Sequence, residues 1–201
     1  MPAAFHVPST IVTGAGASLE LPAQLKRLGV RSALLVTDRH FAQNGLAERF
    51  VDLLERDGIA VSVFSDVQPD PTDRNARDGL QAFRESRAEA IVALGGGSPI
   101  DAGKAIALLA ANPEPLSQYA GYHKVPHASA PLLAIPTTAG TGSEVTRVAV
   151  ITDTERDVKM MILDTHLLPK VALVDFELSL SMPPALTAHV GVDTLTHAIE
   201  A

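Results

Sequence analysis

The sequence has the composition of an ordinary folded protein with a hydrophobic core. It contains 201 residues, of which 46% are hydrophobic and 19% are charged, so wholesale disorder is excluded. The formal net charge of −7 argues against a general binder of nucleic acid or of an anionic membrane, because both need a basic surface. The absence of cysteine excludes disulfides, thiol nucleophiles and zinc–thiolate sites. The sequence shows neither a signal-peptide pattern nor an apolar run long enough to cross a bilayer, so we expect a cytoplasmic protein.

Short apolar runs alternate with amphipathic segments along most of the chain, which is typical of a parallel sheet covered by helices. The runs that predict strands occupy residues 32–37, 59–64, 90–94, 131–135 and 171–174, and the segments that predict helices occupy 44–57, 73–86 and 100–111. Two further apolar runs, 148–151 and 158–162, flank a polar segment and predict a β-hairpin.

The pattern changes at Pro183 and Pro184. Residues 185–201 have helical spacing and contain no strand pattern. We therefore predict a boundary near Met182, with an α/β domain over residues 1–182 and the beginning of a helical segment over residues 183–201.

A triple glycine, Gly95-Gly96-Gly97, follows the predicted strand 90–94 and precedes a predicted helix. We call this segment the glycine loop. Glycines let backbone N–H groups face outward in conformations that other residues rarely adopt. Pro99 suits the first turn of the helix, and Ser98 can cap it. Such a loop at a helix N-terminus suits a phosphate or pyrophosphate, which makes Gly96, Gly97, Ser98 and Pro99 candidate ligand contacts. The spacing matches neither a Walker A loop nor G-x-G-x-x-G, and the alternative is a tight strand-to-helix turn.

Asp38 directly follows the predicted strand 32–37. A carboxylate at this place commonly accepts hydrogen bonds from an adenosine ribose, and its charge disfavours a 2′-phosphate. The alternative is a turn-forming aspartate. In combination with the glycine loop, Asp38 favours NAD over NADP.

Residues 136–144, with the sequence PTTAGTGSE, follow the predicted strand 131–135. Hydroxyls and exposed backbone amides suit a phosphate–sugar ligand or a nicotinamide carboxamide, and the alternative is a flexible polar loop. We call the segment 136–144 the hydroxyl loop. Its hydroxyl residues are Thr137, Thr138, Thr141 and Ser143.

Asp193 and His197 are four residues apart in the helical segment near the end of the chain. Positions four apart lie on one face of a helix, so this carboxylate and imidazole can share one divalent cation. Taken alone, such a pair is more often a surface hydrogen bond than a metal site.

Three segments together resemble the iron-containing (group III) alcohol dehydrogenase family. They are the glycine loop with Asp101, the hydroxyl loop, and the motif Asp193-x-x-x-His197-Ala198-x-Glu200. The resemblance spans essentially the whole chain in order and spacing. It implies a Rossmann-like dinucleotide-binding domain with a parallel sheet over residues 1–182. Residues 183–201 would begin an all-helical metal-binding domain that is incomplete.

The resemblance implies NAD and a divalent metal as cofactors. In that family the residues matching Asp193 and His197 bind the metal, with Fe²⁺ as the expected ion and Zn²⁺ as the alternative. The resemblance also implies that Asp38, Asp70 and Lys159 lie along NAD with the two loops, although many members carry Asn where Asp70 stands. The predicted cofactor-binding residues are thus Asp38, Asp70, Gly96, Gly97, Ser98, Pro99, Asp101, Thr137, Thr138, Thr141, Ser143 and Lys159.

The implied activity is hydride transfer between nicotinamide and a small primary alcohol or its aldehyde, in a protein expected to be a homo-oligomer. Family members are longer, and their C-terminal helical domain supplies two more histidine ligands. We therefore expect this chain to be only the N-terminal portion, and it offers no convincing catalytic general base. Two alternatives stay open: a non-catalytic nucleotide-binding module, and a lyase resembling dehydroquinate synthase that uses NAD transiently.

Overall fold

The computed structural model describes residues 6–200. Within this range the strands are β1 (Thr10–Thr13), β2 (Ser32–Asp38), β3 (Ala60–Val67), β4 (Ala90–Gly95), β5 (Gly121–Tyr122), β6 (Leu132–Pro136), β7 (Val148–Asp153), β8 (Val158–Leu163) and β9 (Val171–Val174). The α-helices are α1 (Leu21–Arg27), α2 (Arg39–Gln43), α3 (Leu46–Arg56), α4 (Asp73–Glu85), α5 (Gly97–Ala111) and α6 (Pro184–Glu200). Short 3₁₀ helices lie between several of them.

Six strands form one parallel sheet in the order β1-β9-β6-β4-β2-β3. The chain runs outward from β2 to β3 and then returns to place β4 on the other side of β2. In open parallel sheets, ligands bind outside the carboxyl ends of the strands at such a reversal. The fold therefore directs attention to the residues that follow β2 and β4.

Helices cover both faces of this sheet. Alternate residues of a strand point to opposite faces, so Leu35 of β2 packs with Phe50 of α3. The neighbouring Leu34 joins the opposite cluster, which contains Ile106 of α5. The central strand β4 is buried along its whole length. This burial on both faces explains why the strands appear in the sequence as continuous apolar runs rather than alternating ones.

Close packing fixes α5 on the sheet. A Cβ at Gly103 would lie 2.8 Å from the Cβ of Ala93 in β4, so only glycine allows the helix to approach this closely. At the start of the helix, Gly95 has φ +146°, and a Cβ there would lie 2.6 Å from Cγ of Pro99. The first turn of α5 is thereby held at the carboxyl end of β4.

A smaller sheet, in the order β5-β8-β7, packs against helices α4 and α5. Strands β7 and β8 pair antiparallel, with Val148 opposite Leu163 at one end and Asp153 opposite Val158 at the other. This pairing confirms the predicted hairpin. The two-residue strand β5 adds to β8 in parallel.

The start of α5 differs from the sequence-based expectation. The helix begins at Gly97 rather than at residue 100, and its N-cap is Gly96, with no side-chain hydrogen bond to the cap. Ser98 lies inside the first turn, so the expected Ser98 cap is wrong. The sequence pattern also did not indicate β1, which is four residues long, or the short helix α2.

Helix α6 follows the sheet and carries mostly exposed side chains. Among residues 6–200, no helix combines the length and the apolar character needed to span a membrane.

Candidate functional site

A cleft of about 650 Å³ opens at the carboxyl ends of β2, β4 and β6. Its lining includes the residues that follow β2, the first turn of α5 and the hydroxyl loop, and it lies where the strand order reverses. Eight of the twelve predicted cofactor-binding residues line it: Asp38, Gly96, Gly97, Ser98, Pro99, Thr137, Thr138 and Thr141.

The glycine loop and the hydroxyl loop pack directly against each other. A Cβ at Gly96 would lie 3.2 Å from Cγ2 of Thr138, and a Cβ at Gly97 would lie 3.1 Å from Cγ2 of Thr141. The backbone N–H of Thr137 donates to the carbonyl of Gly95 at 2.9 Å. The glycines thus bring a helix N-terminus and several hydroxyls together, in addition to exposing backbone.

The first turn of α5 presents donors to the cleft. The first N–H groups of a helix have no intrahelical acceptor, and the helix dipole favours an anion beside them. Gly97 and Ser98 supply such groups in the cleft wall. This arrangement suits a phosphate or diphosphate.

Thr138 provides an unusual polar atom in the cleft wall. Its Oγ1 is buried and has no hydrogen-bond partner among the residues that the structure describes. Such a group carries a desolvation penalty of about 1–3 kcal/mol unless a ligand or water meets it. The hydroxyl therefore lacks a partner that a bound molecule could supply.

Asp38 caps a helix and also lies in the wall of the cleft. Its Oδ1 accepts a hydrogen bond from the backbone N–H of Phe41 at 3.0 Å and so caps α2. Its side chain also lines the cleft, where a carboxylate oxygen can accept from a ribose.

Asp101 and Ser143 do not line the cleft; they belong to a buried polar cluster beside it. Ser143 Oγ donates to Asp101 Oδ1, and Asp101 Oδ2 accepts from the backbone N–H of Val150 at 2.9 Å. The cluster also contains Lys104, which is fully buried. Lys104 Nζ donates to Ser143 Oγ at 3.1 Å, to Thr146 Oγ1 at 3.3 Å and to the carbonyl of Val148 at 2.6 Å. The cluster ties α5 to the end of the hydroxyl loop and to β7.

Burial dominates the protonation of this cluster. Desolvation lowers the pKa of Lys104 to about 8, although Asp101 and Glu144 oppose the shift. Desolvation raises the pKa of Asp101 against the opposing effects of Lys104 and of its hydrogen bonds to Ser143 and Val150. It also raises the pKa of Glu144.

Asp70 and Lys159 form an ion pair beyond the cleft lining. Lys159 Nζ lies 2.6 Å from Asp70 Oδ1, and both side chains are exposed. Asp70 has φ +54°, and Pro69 beside it lines the cleft. The pair is positioned at the rim rather than in the wall.

Asp193 and His197 lie on one face of α6, with His197 Nε2 3.7 Å from Asp193 Oδ1. The same helix reaches the cleft, since Leu186 and Val190 line it and Thr194 Oγ1 lies 3.3 Å from the carbonyl of Ala139. Among residues 6–200, no group of three or more histidine, aspartate or glutamate side chains is arranged to hold a metal. The pair therefore offers one carboxylate and one imidazole to a cation, and the prediction that they bind a metal stays a prediction.

Several residues that line the cleft were missed by sequence reasoning. Arg39 and Asp66 lie at the ends of β2 and β3. Leu178, Met182 and the α6 side chains Leu186 and Val190 give the opposite wall an apolar character. Their positions depend on long-range packing, so only the proximity of Arg39 to Asp38 could have indicated them.

Comparison with known proteins identifies the family. The model of the iron-containing alcohol dehydrogenase family matches residues 8–176. The chain belongs to this family. The chain is 43% identical to the NAD-dependent methanol dehydrogenase of Bacillus methanolicus over 98% of the chain and 52% of that protein.

Solved structures of similar proteins agree with the family assignment. A 1,3-propanediol oxidoreductase matches 99% of the chain with a TM-score of 0.96 and 41% identity, over 52% of its own length. A sulfoacetaldehyde reductase from Bifidobacterium kashiwanohense, solved in complex with NAD⁺, matches the whole chain with a TM-score of 0.90 and 36% identity, over 53% of its length. The predicted family and Rossmann-like fold are confirmed, and the chain spans about half the length of these relatives.

Proposed function

We propose that this chain is the NAD-binding portion of a metal-dependent alcohol dehydrogenase or aldehyde reductase. The observation that carries the proposal is the cleft itself, where the first turn of α5, the unpartnered Thr138 hydroxyl and Asp38 meet at the reversal of strand order. An anion-binding helix end, a free hydroxyl and a carboxylate suit the diphosphate, nicotinamide and ribose parts of a dinucleotide. The names of the relatives, a NAD-dependent methanol dehydrogenase and a reductase in complex with NAD⁺, support the same reading.

In this proposal the residues of the chain bind and orient the cofactor. The Gly97 and Ser98 backbone amides bind the diphosphate, Thr138 meets the nicotinamide end, and Asp38 accepts from the adenosine ribose. Asp101 and Ser143 act indirectly, because their cluster with Lys104 holds the hydroxyl loop against α5. Lys159 and Asp70 lie along the cofactor at the rim of the cleft. Bound NAD would supply the hydride acceptor, and the substrate class would be small primary alcohols and their aldehydes.

The donor set on α6 fits part of a metal site. Asp193 and His197 offer one carboxylate and one imidazole on a common helix face, which suits Fe²⁺ or Zn²⁺. When bound, such a cation would polarise the substrate oxygen. In this proposal residues 1–182 bind the cofactor, residues 183–201 begin the metal-binding region, and the whole protein is a homo-oligomer.

A Thr138→Val variant tests the proposed cofactor site. Valine keeps the shape of the side chain and removes a hydroxyl that has no partner among residues 6–200. We expect NADH to bind about two- to tenfold more weakly, because one hydrogen bond to the ligand is lost. The unfolding free energy should stay the same or rise by about 1 kcal/mol, because a buried polar group disappears. NADH fluorescence titration and chemical denaturation measure the two effects.

A Thr37→Val variant is the matched control. The Thr37 hydroxyl is also buried but donates to the carbonyl of Leu94 at 2.9 Å, and Thr37 does not line the cleft. This variant should lose stability and keep its NADH affinity. NADH affinity that is unchanged in Thr138→Val would refute the assignment of that hydroxyl, and absence of NADH binding to the unaltered chain would refute the proposed function.

A further inference from the structure

The lining of the cleft includes a positively charged side chain, that of Arg39, to which the proposed function assigns no role. Strands β2 and β3 are parallel neighbours, and Asp38 pairs in register with Val67. Arg39, which follows Asp38, reaches Asp66 on the neighbouring strand, and both residues line the cleft. Nε and Nη2 of Arg39 lie 3.0 and 2.9 Å from Oδ1 of Asp66. One edge of the guanidinium is thus directed at a single carboxylate oxygen.

The position of Arg39 has a chemical meaning for cofactor choice. In Rossmann-like sites, an acidic residue after this strand accepts from the 2′-hydroxyl of NAD, whereas a nearby arginine accommodates the 2′-phosphate of NADP. A guanidinium binds a phosphate through two parallel N–H groups when it is free to do so. Here both groups are adjacent in sequence, and both Asp38 and Arg39 line the cleft. Selectivity between NAD and NADP therefore depends on which group the guanidinium of Arg39 binds.

We propose that Asp66 is a positioning residue for selectivity between NAD and NADP, which acts by holding Arg39 away from a 2′-phosphate. This inference rests on the proposed NAD site. Asp38 repels the additional phosphate directly, and Asp66 removes the cation that would compensate for that repulsion. The two carboxylates therefore exclude NADP by different means. Both partners of the Arg39–Asp66 pair are solvent-exposed, so the effect of Asp66 is modest and weakens as salt is added.

The test uses an Asp38→Ser background, because the Asp38 charge would otherwise mask the contribution of Arg39. Serine retains a side-chain oxygen that can cap α2. On this background we compare Asp66→Asn, Arg39→Gln and the combination of both, and titrate each with NADPH and with NADH. Asp66→Asn should tighten NADPH binding roughly two- to fivefold, the size of one exposed ion pair, and should change NADH binding by a smaller factor. In the presence of Arg39→Gln, Asp66→Asn should have no effect on NADPH binding.

A second charge change controls for nonspecific electrostatics. Asp52→Asn removes one negative charge from a surface ion pair with Arg56 on α3, and neither residue lines the cleft. It should not change the ratio of NADPH to NADH affinity.

Two outcomes would overturn the inference. One is an unchanged NADPH affinity in Asp66→Asn, and the other is the same tightening with Arg39 absent, which would mean direct repulsion by Asp66. Both leave the proposed function intact as long as NADH binds and responds to Thr138→Val. If NADH does not bind the unaltered chain, the proposed function itself fails.

Discussion

At the scale of single residues, Lys104 shows how the cleft is held together. Its ammonium is fully buried, yet each of its three N–H donors has an acceptor, in Ser143, Thr146 and Val148. A buried charge persists only when it is paired or hydrogen-bonded. Asp101 lies 3.9 Å away on the preceding turn of α5 and also binds Ser143. The charge thus holds three chain segments at one point.

The depressed pKa of Lys104 predicts a pH dependence of stability. The folded pKa is about 8 and the ordinary value is 10.5, so between these values the unfolded chain binds more protons than the folded one. The free energy of unfolding should therefore rise with pH from about 8 upward, by at most about 1.4 kcal/mol per pH unit from this group. As pH falls through the folded pKa, this contribution is lost. Denaturant unfolding at several pH values up to about 9.5 measures the slope.

Variants assign this slope to Lys104. Replacing Lys104 by Met together with Asp101→Asn removes both charges and avoids an unpaired carboxylate, which alone would cost about 3–5 kcal/mol. The slope should become flatter. Lys26→Met, which removes an exposed lysine paired with Asp57, should keep the slope of the unaltered chain. An equal slope in the double variant would contradict the assignment.

At the scale of elements, the contact between α5 and β4 positions the helix end that serves the cleft. Gly103 lies where any side chain would meet Ala93, with a distance of 2.8 Å to its Cβ. Overpacking of this kind costs about 1–3 kcal/mol, because the helix must shift. A shift of α5 also moves the Gly97 and Ser98 amides.

Gly103→Ala should therefore lower both stability and NADH affinity. We expect a loss of about 1–3 kcal/mol in unfolding free energy and a measurable increase in the dissociation constant of NADH. Gly191→Ala is the matched control, since that glycine lies within α6 and a Cβ there meets nothing within 4 Å. It should stabilise the chain by up to about 1 kcal/mol through helix propensity. If Gly103→Ala destabilises the chain but leaves the NADH affinity unchanged, the position of α5 does not control NADH binding, and the prediction is wrong.

The elements also show which features a sequence can reveal. Continuous apolar runs predicted β2, β4 and β6, because strands buried on both faces carry apolar side chains throughout. Strand β1 was missed because it has four residues of alternating burial and is paired only with β9, far along the chain. Glycines and hydroxyls after strands indicated the cleft through local chemistry.

Contacts distant in sequence were beyond prediction. The bond from Lys104 to Ser143 and the pair of Arg39 with Asp66 join residues on different elements. Neither spacing nor composition specifies which of many charged side chains will meet after folding. The sequence therefore indicated the ligand contacts better than the residues that hold them in place.

At the scale of the whole molecule, α6 carries a row of exposed apolar side chains. Val192, Leu195 and Ile199 are 65%, 59% and 75% exposed, and their spacing places them along one side of the helix. Apolar patches of this kind on a soluble surface favour association. The expected partner in solution is a second copy of this chain.

We therefore predict that the 201-residue chain self-associates as its concentration rises. Light scattering or sedimentation should show a mean mass above that of the monomer, and Leu195→Gln with Ile199→Gln should return it toward the monomer. Met161→Gln, which removes another exposed apolar side chain, on β8, should leave association unchanged. A monodisperse monomer at all concentrations would contradict the prediction.

Leu186 and Val190 of the same helix line the cleft. Association through α6 should therefore also be sensitive to NADH, so the mean mass is to be measured with and without NADH.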